Sequence, residues 1–264
     1  MVSTRPFVLI APASRGLSLA LARHYLQSTN LSVYATHRSP SPNDVRDRIL
    51  TDIPDVDPER LHLLPMELTS ESSIAETAHQ LKQMFPPNKH SYIHTAFFTG
   101  GILHPERQPS DFNSEAITQT FATNLISHLL CIKHFSEFLP SITKSSSEPA
   151  IDPAKWVHMS ARVGSISDNR LGGWYSYRAS KSALNQVIRT FDLHLQRKKT
   201  HAICVGMHPG TVKTDLSKEF WGGVPKEKLF EPEKAARYLA DVVKELTVEQ
   251  RGRVWDWAGK EVLP

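Results

Sequence analysis

Short apolar runs alternate along the chain with longer stretches whose apolar positions recur at helical spacing. The runs are Phe7–Ile10, Leu31–Thr36, Leu61–Met66, Ser91–Phe98, Lys155–Met159, His201–Met207 and Gly252–Trp255. The middle ones are continuous rather than alternating, which predicts strands covered on both faces. Helical spacing runs through Gly16–Gln27, Asn43–Leu50, Glu71–Met84, Ser114–Leu139, Tyr175–Gln196 and Pro232–Glu245. The last opens on Glu231-Pro232-Glu233, a proline in the first turn followed by an acid, as helix starts do. Seven strands and six helices in strict alternation predict the α/β class, a doubly wound parallel sheet with helices on both faces. The polar stretches Ser39–Asn43 and Thr143–Pro153 are surface loops too short to separate domains. Residues 1–264 are therefore expected to form a single domain.

Composition narrows the setting. A chain of 264 residues, 40% of them hydrophobic, removes roughly three quarters of its surface from water on folding, enough for one large core. The 31 basic and 27 acidic residues leave +4. The basic residues are scattered and only Arg197-Lys198-Lys199 forms a run, so no nucleic-acid footprint is expected. Cys131 and Cys204 lie in apolar stretches, as buried reduced thiols rather than a disulfide scaffold or a zinc site. No apolar run approaches a membrane span, and Phe7–Ile10 is too short for a signal core. A soluble, cytoplasmic protein with no membrane partner is expected. The 13 histidines show no ligand spacing, so no metal is expected either.

In doubly wound sheets ligands lie outside the carboxyl ends of the strands. After the first strand, Ser14-Arg15-Gly16-Leu17 leads into a helix N-terminus, whose unpaired N–H groups and positive dipole end suit a phosphate. An ordinary turn is the competing reading, since only one fingerprint glycine is present and Pro12 lacks a donor. The second strand ends in Thr36-His37-Arg38. An acid there would hold ribose hydroxyls, whereas an arginine suits a 2′-phosphate. With Arg15 as a second positive charge, the pair favours NADPH over NADH.

Tyr177 and Lys181 lie four residues apart on one helix face. An ammonium beneath the tyrosine should stabilise its phenolate and lower its pKa, making it a proton donor or acceptor near neutral pH. An exposed pair on a solvated face is the bland alternative. Three further features accompany it: Met159–Ser165 after the fifth strand, Asn124 among Phe121, Leu125 and Leu129, and His208–Thr214 after the sixth.

With these residues together the chain resembles the short-chain dehydrogenase/reductase family, and within it the C-factor-like, sniffer-type carbonyl reductases. The similarity runs from the first strand to Trp257–Val262 and is strongest from Ser160 to Asn185. It implies a seven-stranded Rossmann-type sheet binding NADPH/NADP. It implies that Tyr177 is the general acid, and that Lys181 lowers its pKa and holds the nicotinamide ribose. Asn124 would keep a water in the proton relay. Pro209-Gly210-Thr211-Val212-Lys213-Thr214 would bind the carboxamide through Val212 and a phosphate through Thr214. Glu67-Leu68 would meet the adenine, and Thr99-Gly100-Gly101 replaces the usual Asn-Ala-Gly. Relatives commonly assemble as homodimers or homotetramers through helices four and five, so either is expected.

The departures are specific. Pro12 and Ser18 replace the first and third glycines of the turn. Registering Ser-Ser-x-x-Gly on Gly164 places Ala161 at the usual catalytic serine, with Ser160 and Ser165 as candidates to replace it. A lost oxyanion donor costs on the order of 10²–10³ in rate. The segment Leu216–Phe230, with Phe220, Trp221, Gly222 and Gly223, predicts a substrate lid. Trp174 and Tyr175 are expected in the same pocket, packing at a subunit interface being the alternative. The expected function is an NADPH-dependent reductase, or reverse dehydrogenase, acting on a carbonyl or alcohol of a small apolar or aromatic metabolite. The competing readings are a non-catalytic NADP-binding scaffold or sensor, and a redox-neutral isomerase, dehydratase or cyclase.

Overall fold

The computed structural model of the protein describes residues 4–85, 90–140 and 152–264. Each apolar run forms a strand, and each helical stretch but Ser114–Leu139 forms a single helix. In chain order they are β1 (Thr4–Ala11), α1 (Gly16–Ser28), β2 (Ser32–His37), α2 (Pro42–Leu50), β3 (Leu61–Pro65), α3 (Glu71–Gln83) and β4 (His90–Phe98). Then follow α4 (Ser114–Phe121), α5 (Ser127–Phe135), β5 (Ala154–Met159), α6 (Tyr175–Arg197) and β6 (Ala202–His208). The chain closes with β7 (Thr211–Val212), β8 (Leu229–Phe230), α7 (Pro232–Glu245), β9 (Val254–Asp256) and β10 (Glu261–Val262).

The main sheet runs β10-β9-β6-β5-β4-β1-β2-β3. Every pairing from β3 across to β9 is parallel. The order reverses between β1 and β4, the switch point at which such sheets open a crevice. Alternate residues along each strand enter opposite cores, as a two-residue period requires. Val8, Ile10, Val157 and Val205 pack with residues of α1 and α7. Leu9, Ala96, Trp156 and Cys204 pack with residues of α3, α5 and α6. Both cysteines are buried and unpaired, and among the described residues no helix is long and apolar enough to cross a membrane.

Three expectations need correction. The sheet has eight strands, because β10 pairs antiparallel with β9. Gly259 turns the chain there at φ +74°, and the Asp256 carboxylate accepts from the N–H groups of Ala258 and Lys260, both at 2.9 Å. Two residues are too few to show a period. The helix expected over Ser114–Leu139 is interrupted by a wide π turn at Ala122–Ile126 and gives way to a 3₁₀ turn at Ser136–Phe138. Such wide turns commonly mark functional sites, and this one contains Asn124. The loop expected over Ser39–Asn43 ends earlier, because Ser41 caps α2 and Pro42 occupies its first turn. Of the loop expected over Thr143–Pro153, residues 143–151 lie outside the described residues.

Candidate active site

A cavity of about 890 Å³ runs along the carboxyl ends of the strands, within the size range of small-molecule clefts. One half is built on the turn after β1. Gly16 has φ +55°, and a Cβ there would lie 2.9 Å from Thr214 Cγ2. Glycine thus lets the turn close against the segment after β6. α1 has no side-chain cap, so the N–H groups of Gly16, Leu17 and Ser18 have no acceptor within the helix. All three residues line the cavity, which gives that half the donors and dipole an anion requires.

The departures from the family pattern satisfy one another here. Ser18 Oγ lies 2.8 Å from Thr99 Oγ1, and Thr99 Oγ1 donates to the carbonyl of Pro12 at 3.1 Å. Ser14, Leu68, Gly100, Pro209, Gly210 and Val212 complete the lining expected for a dinucleotide. Arg15 and Arg38 also line the cavity, facing Asp215 at 3.4 Å and Glu67 at 3.8 Å.

The other half carries Tyr177 and Lys181, both buried on the first turns of α6. Lys181 Nζ donates to the Met159 carbonyl at 2.8 Å and lies 5.8 Å from the Tyr177 ring centre. Burial pushes the tyrosine up to about 12 and the lysine down to about 8. Desolvation of the phenolate dominates at Tyr177 and opposes the lowering expected from the lysine. Asn124 does not line the cavity. Its amide accepts from Ile102 N at 2.8 Å and donates to Ile102 O at 2.9 Å and to Ser180 Oγ at 3.1 Å. The preceding Gly101 lies beside both groups, a Cβ there being in ordinary contact with Lys181 Nζ at 3.5 Å and with Asn124 Oδ1 at 3.7 Å.

Neither candidate serine presents a free hydroxyl to the cavity. Ser160 lines it, but its hydroxyl donates to Asn185 Oδ1 at 2.5 Å. Ser165 lies outside the lining, and its Oγ accepts from Asp168 N at 3.1 Å. Ala161 faces the cavity with a methyl group.

The substrate side is aromatic. Trp174 and Phe220 line the cavity with ring centres 4.7 Å apart, and Trp174 meets the Tyr177 ring nearly edge-on at 6.2 Å. Tyr175 is outside the cavity, packed against Phe112 at 5.0 Å. Trp221 is also outside, donating to Ser217 Oγ at 2.9 Å. Sequence reasoning missed Gln119 and Thr123, which line the cavity. Their spacing of four, ending at the residue just before Asn124, was the signal available.

It also missed a buried imidazole pair. The Trp156 indole donates to His158 Nε2 at 2.9 Å, so that nitrogen carries no proton. His158 Nδ1–H then donates to His128 Nδ1 at 2.8 Å, and His128 Nε2–H donates to the Gly100 carbonyl at 3.0 Å. A single neutral tautomer of each ring satisfies this chain.

The sequence model for short chain dehydrogenase matches residues 6–223. A 1-hydroxy-2-glutathionyl-2-methyl-3-butene dehydrogenase of Rhodococcus sp. is 42% identical over 95 residues, 36% of this chain and 40% of that protein. The match therefore spans less than half of that relative. The carbonyl reductase Sniffer of D. melanogaster superposes with a TM-score of 0.82 at 21% identity, over 98% of this chain and all of that one. An NADPH-bound carbonyl reductase from chicken fatty liver gives 0.80 at 24% identity, over 99% and 100%.

Proposed function

Because the chain belongs to the short chain dehydrogenase family, we propose that it is an NADPH-dependent reductase, or reverse dehydrogenase, for a carbonyl or alcohol of a small apolar or aromatic metabolite. One observation carries this reading. Tyr177 and Lys181 are buried on the wall of the same cavity whose far half is the uncapped N-terminus of α1.

The residues present fit the dinucleotide. The N–H groups of Gly16, Leu17 and Ser18 would hold its pyrophosphate, with Arg15 and Arg38 toward a 2′-phosphate. Glu67, Leu68, Thr99 and Gly100 would flank the adenosine, and Pro209, Gly210, Val212 and Thr214 the nicotinamide end. Bound there, the dinucleotide would supply the hydride that a carbonyl reduction needs. Tyr177 gives its proton to the carbonyl oxygen, and its position near 12 keeps it protonated for that task at neutral pH. Lys181, charged below about 8, opposes the negative charge left on the tyrosine oxygen. Its bond to Met159 O fixes the ammonium. Asn124 holds Gly101 and Ile102 against it.

Trp174, Phe220, Leu103 and Val163 favour an apolar or aromatic group beside the carbonyl. The same proposal makes the protein a cytoplasmic homo-oligomer, with the exposed Ile126, Leu129 and Tyr175 on its contact helices. Ala161 favours a second reading, an NADPH-binding module without turnover.

Fluorescence titration with NADPH and NADH, followed by a carbonyl panel, separates them. Tyr177→Phe should bind NADPH as the wild type does and lose about 10²–10⁴ in turnover. A fully active variant would sink the mechanism, and NADPH binding with no turnover by the wild type would favour the second reading.

A further inference from the structure

We propose that Glu106 is the positioning residue for the wall that carries Tyr177. The inference rests on the reductase reading. Glu106 sits on the loop between β4 and α4, where carboxylates are ordinarily solvated, yet it is 4% exposed. Its Oε2 accepts from Ser176 N at 2.8 Å, and its own carbonyl accepts from Trp174 N at 2.6 Å. The two bonds bracket the start of α6.

The helix needs them. α6 is 23 residues long, with no side-chain cap and no acid in its first turn. Its N-cap residue is Trp174, at φ 51°, where Ser, Asp or Asn would ordinarily accept from the first N–H groups. That position is occupied by an indole that lines the cavity and packs on Phe220. The cap therefore arrives from a residue 70 positions earlier, and it brings negative charge to the positive end of the helix. Ser176 does not hold the turn itself: among the described residues its buried hydroxyl has no partner. The next residue is Tyr177.

The same loop is fixed at its other end. Ile102, two residues past Gly100, is clamped by Asn124, and Ile102 and Leu103 line the cavity. Between Asn124 and Glu106 the loop thus joins the substrate wall to the helix bearing the proton donor. Glu106 itself does not line the cavity. It acts through Trp174 and Tyr177, and leaves the dinucleotide half to other elements.

The test compares full-length wild type, Glu106→Gln and Glu106→Ala. Readouts are kcat and KM for aromatic ketones, NADPH affinity by fluorescence, and amide exchange at residues 174–178. In Glu106→Ala, kcat/KM should fall about 100-fold, as expected when reacting groups move by an ångström. NADPH affinity should stay unchanged, and the Ser176 amide should exchange faster. Glu106→Gln keeps an acceptor and should recover most of the loss. In a Trp174→Ala background, Glu106→Ala should add less to KM than it does alone. Unchanged kinetics and exchange in Glu106→Ala would overturn the proposal, as would equal losses of NADPH affinity and turnover. If the wild type reduces no carbonyl, the reductase reading fails, and exchange at Ser176 alone decides whether Glu106 holds the turn.

Discussion

The Ser160 hydroxyl donates to Asn185 Oδ1 at 2.5 Å, which commits it to α6 while the neighbouring Ala161 presents only a methyl group to the cavity. On the proposed mechanism the proton chemistry would fall on Tyr177, without the hydroxyl that a serine at position 161 would add. Ala161→Ser should supply the missing donor and raise kcat about 10- to 100-fold, within the range of one oxyanion contact. Ser160→Ala should stay within about twofold of the wild type, because its contact lies outside the reacting atoms. A large loss in Ser160→Ala would show that Ser160 turns inward during the reaction. Steady-state NADPH oxidation distinguishes these outcomes.

The pH profile of reduction should report Lys181. Burial lowers its pKa to about 8 and holds Tyr177 near 12. The acid form of the tyrosine is therefore present throughout the neutral range, and the lysine charge is lost first as pH rises. kcat should be flat below about 8 and decline above it. Lys181→Met should be slow at all pH values and show no such decline. A break in the wild type that survives in Lys181→Met would assign the titration to another group.

Much of the sheet was legible because β1, β4, β5 and β6 are buried on both faces, which leaves continuous apolar runs in the sequence. The Tyr177–Lys181 pair was legible because four residues make about one helical turn. The features that were not legible depend on contacts between distant residues. The hydroxyl at Ser160 could be assigned only once Asn185, 25 residues on, was in place. The burial of Glu106 follows from the N–H groups of α6, and nothing local in Pro105-Glu106-Arg107 announces it. The raised position of the tyrosine was not legible for a related reason: charge spacing can be read from sequence, but the desolvation opposing it cannot.

Cofactor selectivity should rest on the two arginines of the cavity. Arg38→Ala should weaken NADPH by about 10- to 100-fold, the value of one or two bonds to a charged group, and change NADH little. Arg15→Ala should act in the same direction. Both side chains are exposed, with acids nearby at Asp215 and Glu67, so added salt should reduce the preference. Equal losses for both cofactors on titration would remove the 2′-phosphate from the explanation.

The imidazole pair should make the fold acid-sensitive. His128 is pushed down to about 3, by burial first and by the Lys181 charge second, against the opposing bond to Gly100. His158 is lowered for the same reasons, with His128 itself contributing. In the unfolded chain His128 takes up a proton below about 6.5, whereas in the folded protein it does not until near 3. Its stabilisation is thus fully present above 6.5 and is lost as pH falls toward 3. Between pH 6.5 and 5 this amounts to about 2 kcal/mol for His128 alone. His128→Asn cannot titrate but can still place an acceptor at the Nδ1 position for His158, and the lost bond to Gly100 cancels when each protein is referred to its own stability at pH 7. Urea unfolding at pH 7 and pH 5, each protein referred to its own value at pH 7, should therefore show a loss about 2 kcal/mol smaller in the variant than in the wild type. Equal losses in both would mean that the pair is charged, or reached by water, in the native protein.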